Sequence, residues 1–551
     1  MDNSFIMRQL RSASAAASVV VVCALVGGFF GRDALSAQDQ VPDQYRVFAA
    51  ALGAVESNYV GEIQSDRLVY SAIAGMLQTL DPHSSFYDPS SYAQMRERQE
   101  GRYYGLGISI NAFNDDIVVA NVFEGSPAHE KGLRRGDVIA RIQGLDTKGW
   151  TIQQAVTRLR GPKGTTVPIA LRRAGYDALI DLAVRRDEVQ LKTVPAAVML
   201  DDQTGVLWFK GDFAEHSDDE IGAALRELTQ KGMKRLVFDL RDNPGGSLPT
   251  AIAVANRFLR KGELIVYTRG RTQNSDQDFR ATEESAYLDI PMITLVNRRS
   301  ASASEIVSGA LQDHDRSLIV GETTFGKALV QSVYRVAQNA GASITTARYY
   351  TPRGRLIQRP WDGSFDEYMT YVLRDQDANK TRRPEDLILT DGGRKVYSGG
   401  GVDPDYRLDG PRDGFNPSRL GTAIGNRELF DTYSQRFSRK GDLRIAASTS
   451  STPRELGPDF VITDEMVTEF KELVKKSPIP FDEALWQKDL PFIKAQLRKE
   501  IDTDLFGAAA AYANLAKTDP QVQFAMTLFP EAQKLLELQR TTKPSTARAR
   551  R

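Results

Sequence analysis

The sequence predicts a multidomain α/β protein with a helical N-terminal segment, a β-rich module, an α/β layer and a helical C-terminal region. Three observations predict it. A chain of 551 residues exceeds a single hydrophobic core and calls for several domains of about 100 to 200 residues each. Apolar content of 41% and charged content of 26% are those of soluble globular protein. The hydrophobic period also changes along the chain, from helical to alternating, then to short apolar runs between helical stretches, and back to helical.

Balance and scarcity exclude several functions. Lysine plus arginine and aspartate plus glutamate number 71 each, so no net field recruits nucleic acid. Cys23 is the only cysteine, and the rest of the chain can form no disulfide, thiolate zinc site or cysteine nucleophile. His83, His129, His216 and His314 lie far apart without H-E-x-x-H spacing, which argues against a histidine metal centre. The reading therefore calls for no cofactor and no metal.

Residues 1–37 read as a signal peptide or membrane anchor. Arg8 and Arg11 precede an uncharged run, residues 12–31, that holds Val19, Val20, Val21, Val22, Leu25, Phe29 and Phe30. Such a run is just long enough for the roughly 30 Å hydrocarbon core. The small stretch Ala34-Leu35-Ser36-Ala37 equally suits a cleavage site. The expectation is an exported chain of the cell envelope, periplasmic or extracytoplasmic, with membrane contact through this segment and a retained anchor in the cytoplasmic membrane preferred.

Residues 45–100 carry helical spacing: one helix over 45–59, a second from a Ser65 cap to residue 80, and a third over 91–99. Asp81-Pro82-His83-Ser84 reads as the turn between them, with His83 part of that turn. Residues 101–186 change to short alternating strands, with a helix over 151–159 and a strand over 167–172. The run Ser126-Pro127-Ala128, then Gly132-Leu133, then Gly136-Asp137-Val138-Ile139 resembles a PDZ domain. The resemblance assigns Gly105, Leu106, Gly107 and Ile108 to a carboxylate-binding loop. Consecutive N–H groups in a glycine loop form an anion nest, and the neighbouring strand edge can pair with an extended peptide.

Residues 187–410 alternate strands (205–209, 235–240, 290–296, 317–320) with helices (218–228, 247–259, 302–311), the pattern of an α/β layer. No G-x-S-x-G elbow, Walker loop or Rossmann fingerprint occurs in it. Within 411–540, residues 464–540 read as helical, capped by Thr463 and broken at Pro478, Pro480 and Pro520. Phe470, Leu473, Val474, Leu485, Trp486, Phe492, Leu497 and Leu535 should pack there on the protease domain or on a second copy. Residues 541–551 are basic and polar, and disorder is expected.

Chemistry concentrates in three runs. In Asn297-Arg298-Arg299-Ser300-Ala301-Ser302-Ala303-Ser304-Glu305, Ser302 opens a helix just after a strand. Free N–H groups and the positive helix end favour developing negative charge there. Ser302 and Glu305 also fit a capping box, in which serine merely ends a helix. The other runs are Gly321-Glu322-Thr323-Thr324-Phe325-Gly326-Lys327-Ala328-Leu329-Val330-Gln331 and Asp239-Leu240-Arg241-Asp242-Asn243-Pro244-Gly245-Gly246.

Over residues 45 to 405 the order and spacing of these runs resemble the C-terminal processing peptidases, or tail-specific proteases, serine peptidases with a PDZ domain and a crotonase-like α/β protease domain. The resemblance implies that Ser302 is the nucleophile, Lys327 its base and Gln331 the support of the lysine. It also implies an oxyanion hole from the N–H groups of Ala303 and Gly246. The implied partners are polypeptides with exposed C-termini, while an adaptor protein and a homo-oligomer remain open. Two departures stand out: Ala328 replaces the glycine common after the lysine, and a polar insert separates residues 349–355 from Gly400-Gly401-Val402-Asp403-Pro404-Asp405.

A lysine acts as a base only as the neutral amine, so its pKa near 10.4 must fall to roughly 7 or 8, which desolvation can achieve. Phe325, Leu329 and Val330 are the expected walls, and Gln331 can accept one amine N–H. A pair of Asp313 and His314 fits less well, being adjacent at a helix end. Two rivals remain from other classes. A non-catalytic PDZ scaffold of the envelope is disfavoured by the presence of both Ser302 and Lys327, and a crotonase-type acyl-CoA enzyme by the PDZ-like module and export signal.

Overall fold

The computed structural model describes residues 43–173, 176–336, 339–361, 367, 368, 370, 383–408, 417–427, 429–440 and 454–541. The expected export segment, most of the polar insert and residues 542–551 of the basic tail lie outside the described residues. Among the described residues, no helix is long and apolar enough to cross a membrane.

The chain divides after Thr79 into two units. The first holds helices α1 (Asp43–Asn58) and α2 (Ser65–Gln78). Ser65 is the first residue of α2 rather than its cap; Gln64 occupies the cap position in extended conformation and makes no side-chain cap bond.

The second unit opens with β1 (Ser85–Tyr87) and α3 (Pro89–Glu100). The Asp88 carboxylate accepts the Ser91 N–H at 2.7 Å, which sets the start of α3 two residues before the expected one. Pro89 fills the first helical position, where a missing N–H costs nothing, and Gly101 at φ 70° ends the helix.

The β-rich module follows: β2 (Arg102–Gly105), β3 (Ile108–Phe113), β4 (Asp116–Val122), α4 (Pro127–Glu130), β5 (Val138–Ile142), β6 (Leu145–Asp146), α5 (Ile152–Leu159), β7 (Thr166–Arg172), β8 (Ile180–Arg185) and β9 (Asp187–Gln190). An antiparallel sheet runs β3-β4-β5-β7-β8, with β6 on β5. Alternate residues such as Ile117 and Val119, or Ile139 and Ile142 across a bulge, point into its core. Thr151 and Gln154 form a reciprocal capping box on α5. β2 and β9 pair with each other instead of joining the sheet, making a two-stranded ribbon through which the chain enters and leaves the module.

The α/β layer comprises β10 (Ala196–Met199), β11 (Thr204–Trp208), α6 (Ser217–Gln230), β12 (Arg235–Asp239), α7 (Leu248–Asn256), β13 (Leu264–Gly270), β14 (Gln277–Arg280), β15 (Met292–Val296), α8 (Ala303–Asp313), β16 (Leu318–Gly321), β17 (Leu329–Arg335), β18 (Gly341–Tyr350), β19 (Leu387–Leu389), β20 (Lys395–Tyr397) and β21 (Tyr406–Arg407). The main sheet has the order β10-β11-β12-β15-β16-β21, parallel except at β10. Its central strands are buried throughout, as a sheet covered on both faces requires. A second sheet, β1-β18-β13-β14 with β17 on β18, was not expected from the sequence.

The C-terminal region contains α9 (Arg419–Asn426), α10 (Leu429–Ser434), β22 (Phe437–Arg439), β23 (Arg454–Leu456), α11 (Asp464–Lys476), α12 (Glu483–Phe506), α13 (Ala508–Ala516), α14 (Pro520–Thr527) and α15 (Phe529–Thr541). Pro478 and Pro480 separate α11 from α12, whereas Pro520 opens α14 and Pro491 lies inside α12. The unexpected break falls at Gly507, φ 88°. α9 to α12 build their own core around Phe430, Phe470, Trp486 and Leu497. α13 to α15 instead cover the main sheet: Val522, Phe529 and Leu535 meet Val206, Trp208, Val237 and Leu295. Leu207, Leu236 and Phe238 point to the opposite face, against α6, α7 and α8. Of the apolar residues expected to pack on the protease domain or a second copy, Leu535 meets the main sheet, while Phe470, Leu473, Val474, Leu485, Trp486, Phe492 and Leu497 pack in the separate core of α9 to α12.

Candidate active site

Parallel strands β12, β15 and β16 end on one edge of the sheet, so the three sequence runs that follow them converge there. Buried Asn243 ties the first loop to the second. Its amide donates to the carbonyls of Phe209 (3.0 Å) and Gly211 (2.8 Å), while its side-chain oxygen accepts the Gly245 N–H (3.0 Å) and the Ser304 hydroxyl (2.8 Å). Gly245 must lack a side chain, since a Cβ there would lie 2.6 Å from the Ala301 oxygen and 2.8 Å from the Ala303 nitrogen. Asn243 occupies the Gly245 N–H; the N–H groups of Gly246 and Ala303 meet no acceptor among the described residues.

Ser302 has φ 54° and ψ −111°, a conformation that non-glycine residues rarely adopt. An ordinary serine cap is extended and gives its hydroxyl to the helix. Here the Glu305 N–H goes to the Ser302 carbonyl at 2.8 Å, and the Ser302 N–H goes to Glu305 Oε2, also at 2.8 Å. Ser302 and Glu305 thus keep the reciprocal placement of a capping box, but the Glu305 N–H bonds the Ser302 carbonyl and the hydroxyl makes no separate cap hydrogen bond.

Glu305 does more than cap. Oε2 also accepts the Lys327 N–H at 2.9 Å, and Oε1 accepts the Gly326 N–H (2.6 Å) and the Thr324 hydroxyl (2.5 Å). Burial raises its pKa to about 7, against the pull of these hydrogen bonds. The Tyr349 hydroxyl reaches the carbonyl oxygens of Ser302 (3.0 Å) and Lys327 (2.5 Å). One carboxylate and one phenol therefore clamp the backbones of both residues.

Burial lowers the Lys327 pKa, and the charges of Glu305 and Asp81 only partly restore it. The amine makes no hydrogen bond or ion pair among the described residues. The Gln331 amide donates to the Thr345 hydroxyl at 3.2 Å and makes no bond to Lys327 among the described residues. His83 is placed beside this group rather than serving only its turn. Burial, then the Lys327 charge, depresses its pKa to about 3. The ring packs edge-on to Phe325 and Tyr368, with Nε2 2.9 Å from the Tyr368 hydroxyl. Asp81 fixes the turn by accepting the N–H groups of His83 and Ser84, each at 2.8 Å.

His314 lies at the far end of α8. Its two ring nitrogens are engaged by Asp391 and the Leu264 carbonyl, both at 2.7 Å, and Asp313 pairs with Arg355 at 2.6 Å. Neither is arranged to serve Ser302. Among the described residues, no cluster of ligating side chains could hold a metal ion.

In the β-rich module, β3 is an edge strand with α5 beside it. The Leu106 N–H finds no acceptor among the described residues, whereas the Gly107 N–H faces the Tyr103 hydroxyl. Gly107 (φ 86°) is required because a Cβ would lie 2.0 Å from that of Ser126, whose hydroxyl donates to the Gly107 carbonyl at 3.2 Å. The sequence signal missed Tyr349, Asn243 and the second role of Glu305, since each acts across loops distant in the chain.

Residues 209–363 match the profile described as Peptidase family S41, and residues 94–172 match that of the PDZ domain. The chain is 40% identical over 308 residues to a carboxy-terminal-processing protease of Bartonella bacilliformis, covering 55% of this chain and 70% of that protein. It is 38% identical to a carboxyl-terminal-processing protease of a Synechocystis strain, over 53% and 68% of the two chains. Among solved structures, a photosystem II D1 C-terminal processing protease matches at 26% identity and a TM-score of 0.34, covering 67% of this chain and 94% of that one. By the two profile matches and the likeness to the Bartonella and Synechocystis proteins, the chain belongs to the carboxy-terminal-processing proteases, serine-type peptidases of family S41 that carry a PDZ domain.

Proposed function

We propose that this peptidase is exported, captures polypeptide C-terminal tails through its PDZ domain, and hydrolyses peptide bonds with a Ser302/Lys327 dyad. The observation that carries the dyad is the shared clamp, in which Glu305 Oε2 accepts the N–H groups of both Ser302 and Lys327. The neutral Lys327 amine takes the Ser302 hydroxyl proton as Oγ attacks the scissile carbonyl. Negative charge then develops on the carbonyl oxygen, which the free N–H groups of Gly246 and Ala303 are suited to receive. The lysine returns the proton to the leaving amine, and water later cleaves the acyl-serine by the same relay. Gln331 supports the lysine in this scheme after a side-chain rotation away from Thr345.

Tail capture rests on the unengaged Leu106 N–H, with Gly107, whose N–H a carboxylate would take from the Tyr103 hydroxyl, and with Gly105 and Ile108 shaping the loop and the free β3 edge. Export rests on the apolar run between Arg11 and Arg32. Hydrolysis of a peptide with a free apolar C-terminus tests the dyad. Ser302→Ala and Lys327→Ala should each abolish turnover while peptide binding and circular dichroism stay unchanged. Full cleavage by the Lys327→Ala protein would overturn the mechanism.

A further inference from the structure

The hydrophobic core of the PDZ domain is closed on itself: its buried residues and the apolar residues packed on them all lie between Leu106 and Val184. No apolar residue from the protease domain or the C-terminal helices enters it. The domain therefore shares no apolar core with the rest of the chain, the type of interface that permits relative motion. Beyond the β2–β9 ribbon, Arg160 pairs with Glu97 on α3 at 2.7 Å. The densest attachment lies elsewhere, in the loop before β5.

There Arg135 reaches the C-terminal region. Its guanidinium meets Asp431 of α10 at 2.7 Å and Glu500 and Asp504 of α12 at 2.9 Å each. All four side chains are largely buried, at 14%, 25%, 13% and 18% exposure respectively. The neighbouring Gly136 is equally committed, since a Cβ there would sit 2.0 Å from the Gln435 amide carbon. We propose that Arg135, gripped by Asp431, Glu500 and Asp504, is an ionic lock that holds the PDZ domain on the C-terminal helices. Opening it lets the domain swing on the β2–β9 ribbon and alters the presentation of a captured tail.

Charge makes the lock sensitive to pH. Three carboxylates face Arg135, and the neighbouring cations are Lys499, 2.8 Å from Glu500, and Arg134, which lines the same junction. Arg173 on the module side is already spent on Asp137, and Arg498 on α12 is spent on Asp502. Burial raises the Asp431 pKa to about 7, with Glu500 and Asp504 adding to the rise against the pull of Arg135. Burial likewise raises Asp504, whereas Lys499 and Arg135 hold Glu500 low despite its burial. The closed state thus keeps a proton on Asp431 that an exposed aspartate, with a pKa of about 3.9, would release. Acidification from about pH 7 to about pH 5 favours closure and alkaline pH favours opening, while below about pH 4.5 protonation of Glu500 acts the other way.

Spin labels on the full-length chain test this directly. Lys148→Cys on the module and Lys476→Cys on α11 are exposed sites, and Cys23→Ser removes the one native thiol. The wild-type lock should give one narrow distance at pH 5.5 and an added broad population at pH 8.5. Arg135→Met should be broad at both values, and Asp431→Asn, which mimics the protonated acid, narrow at both. A single narrow distance in every variant would overturn the lock, whatever the peptidase activity. Opening should also lower kcat/KM several-fold for a peptide with a free C-terminus but not for its amide. Equal effects on acid and amide would overturn the role in tail presentation, while a wild-type protein inactive on both would instead remove the dyad reading and leave the distances as the test of the lock.

Discussion

Helices α7 and α8 each begin with a serine near the same sheet edge, and the two serines are used in opposite ways. Ser247 is extended (φ −63°, ψ 128°) and its hydroxyl accepts the Thr250 N–H at 3.4 Å. Ser302 is twisted to φ 54°, and Glu305 accepts its N–H. The twist costs about 1–3 kcal/mol, held in place by the Glu305 and Tyr349 clamps. The lesson is that a serine whose carbonyl and N–H carry the cap keeps its hydroxyl out of a cap hydrogen bond, at the expense of strain that the surrounding bonds must hold.

Substituting the two serines gives the largest separation. Ser302→Ala should reduce peptide hydrolysis by at least about 10³-fold and barely change the melting temperature, whereas Ser247→Ala should leave hydrolysis within a few-fold. Similar losses from both would break the contrast. The proposed dyad can be followed by pH: with Lys327 as base, kcat/KM should rise with a midpoint below the ordinary lysine value of 10.5, because burial favours the neutral amine. That limb should survive His314→Asn.

The far end of α8 offers the next effect. His314 caps that end; burial opposes its charge, but Asp391, Glu263 and the Leu264 carbonyl win and raise its pKa from 6.5 to about 9. A raised histidine stabilises the fold below pH 6.5 and loses that contribution as pH rises through about 9. Urea unfolding of wild type against His314→Asn should show a gap of about 3 kcal/mol at pH 6 that narrows by pH 9.5. A gap independent of pH would mean that packing alone is at stake.

Glu305 sharpens the comparison further. Its raised pKa means that the folded protein gains from the protonated acid below about pH 4.5 and loses that gain as pH climbs through about 7. Glu305→Gln should flatten this slope in stability measurements. Since an amide replaces one acceptor oxygen with donors, the variant should also lose about 10²-fold in activity by loosening Ser302 and Lys327. The smallest effect is the ordinary cap, where Ser247→Ala should cost about 0.5–1 kcal/mol in thermal unfolding.

What could be read from the sequence was local. The PDZ and S41 segments, the edge strand with its glycine loop, and the three loops at the sheet edge all follow from runs of adjacent residues. Glu305 was visible only as a partner three residues from Ser302, because its bonds to Gly326 and Lys327 depend on strand order. His83 read as a turn residue for the same reason, since Phe325 and Tyr368 reach it through space. The second sheet escaped because β17 and β18 carry polar residues such as Gln331, Ser332, Thr345 and Thr346 at partly buried positions, which blurs the alternation that marks a strand. Asp88 displaced Ser91 as a helix start because the capping carboxylate lies just outside the apolar pattern.

The covering of the main sheet has a consequence for biosynthesis. Val206, Trp208, Val237, Ile293 and Leu295 are all made before residue 300, yet the helices that cover them begin at Ala508. A nascent chain must therefore carry a bare apolar sheet face through the synthesis of some two hundred further residues, a contact of long sequence separation that slows folding and invites aggregation. Synthesis order thus delays completion of the peptidase: the sheet whose edge holds Ser302 is covered only when α15 arrives, so a chain stalled short of α15 would be left with part of that apolar face bare.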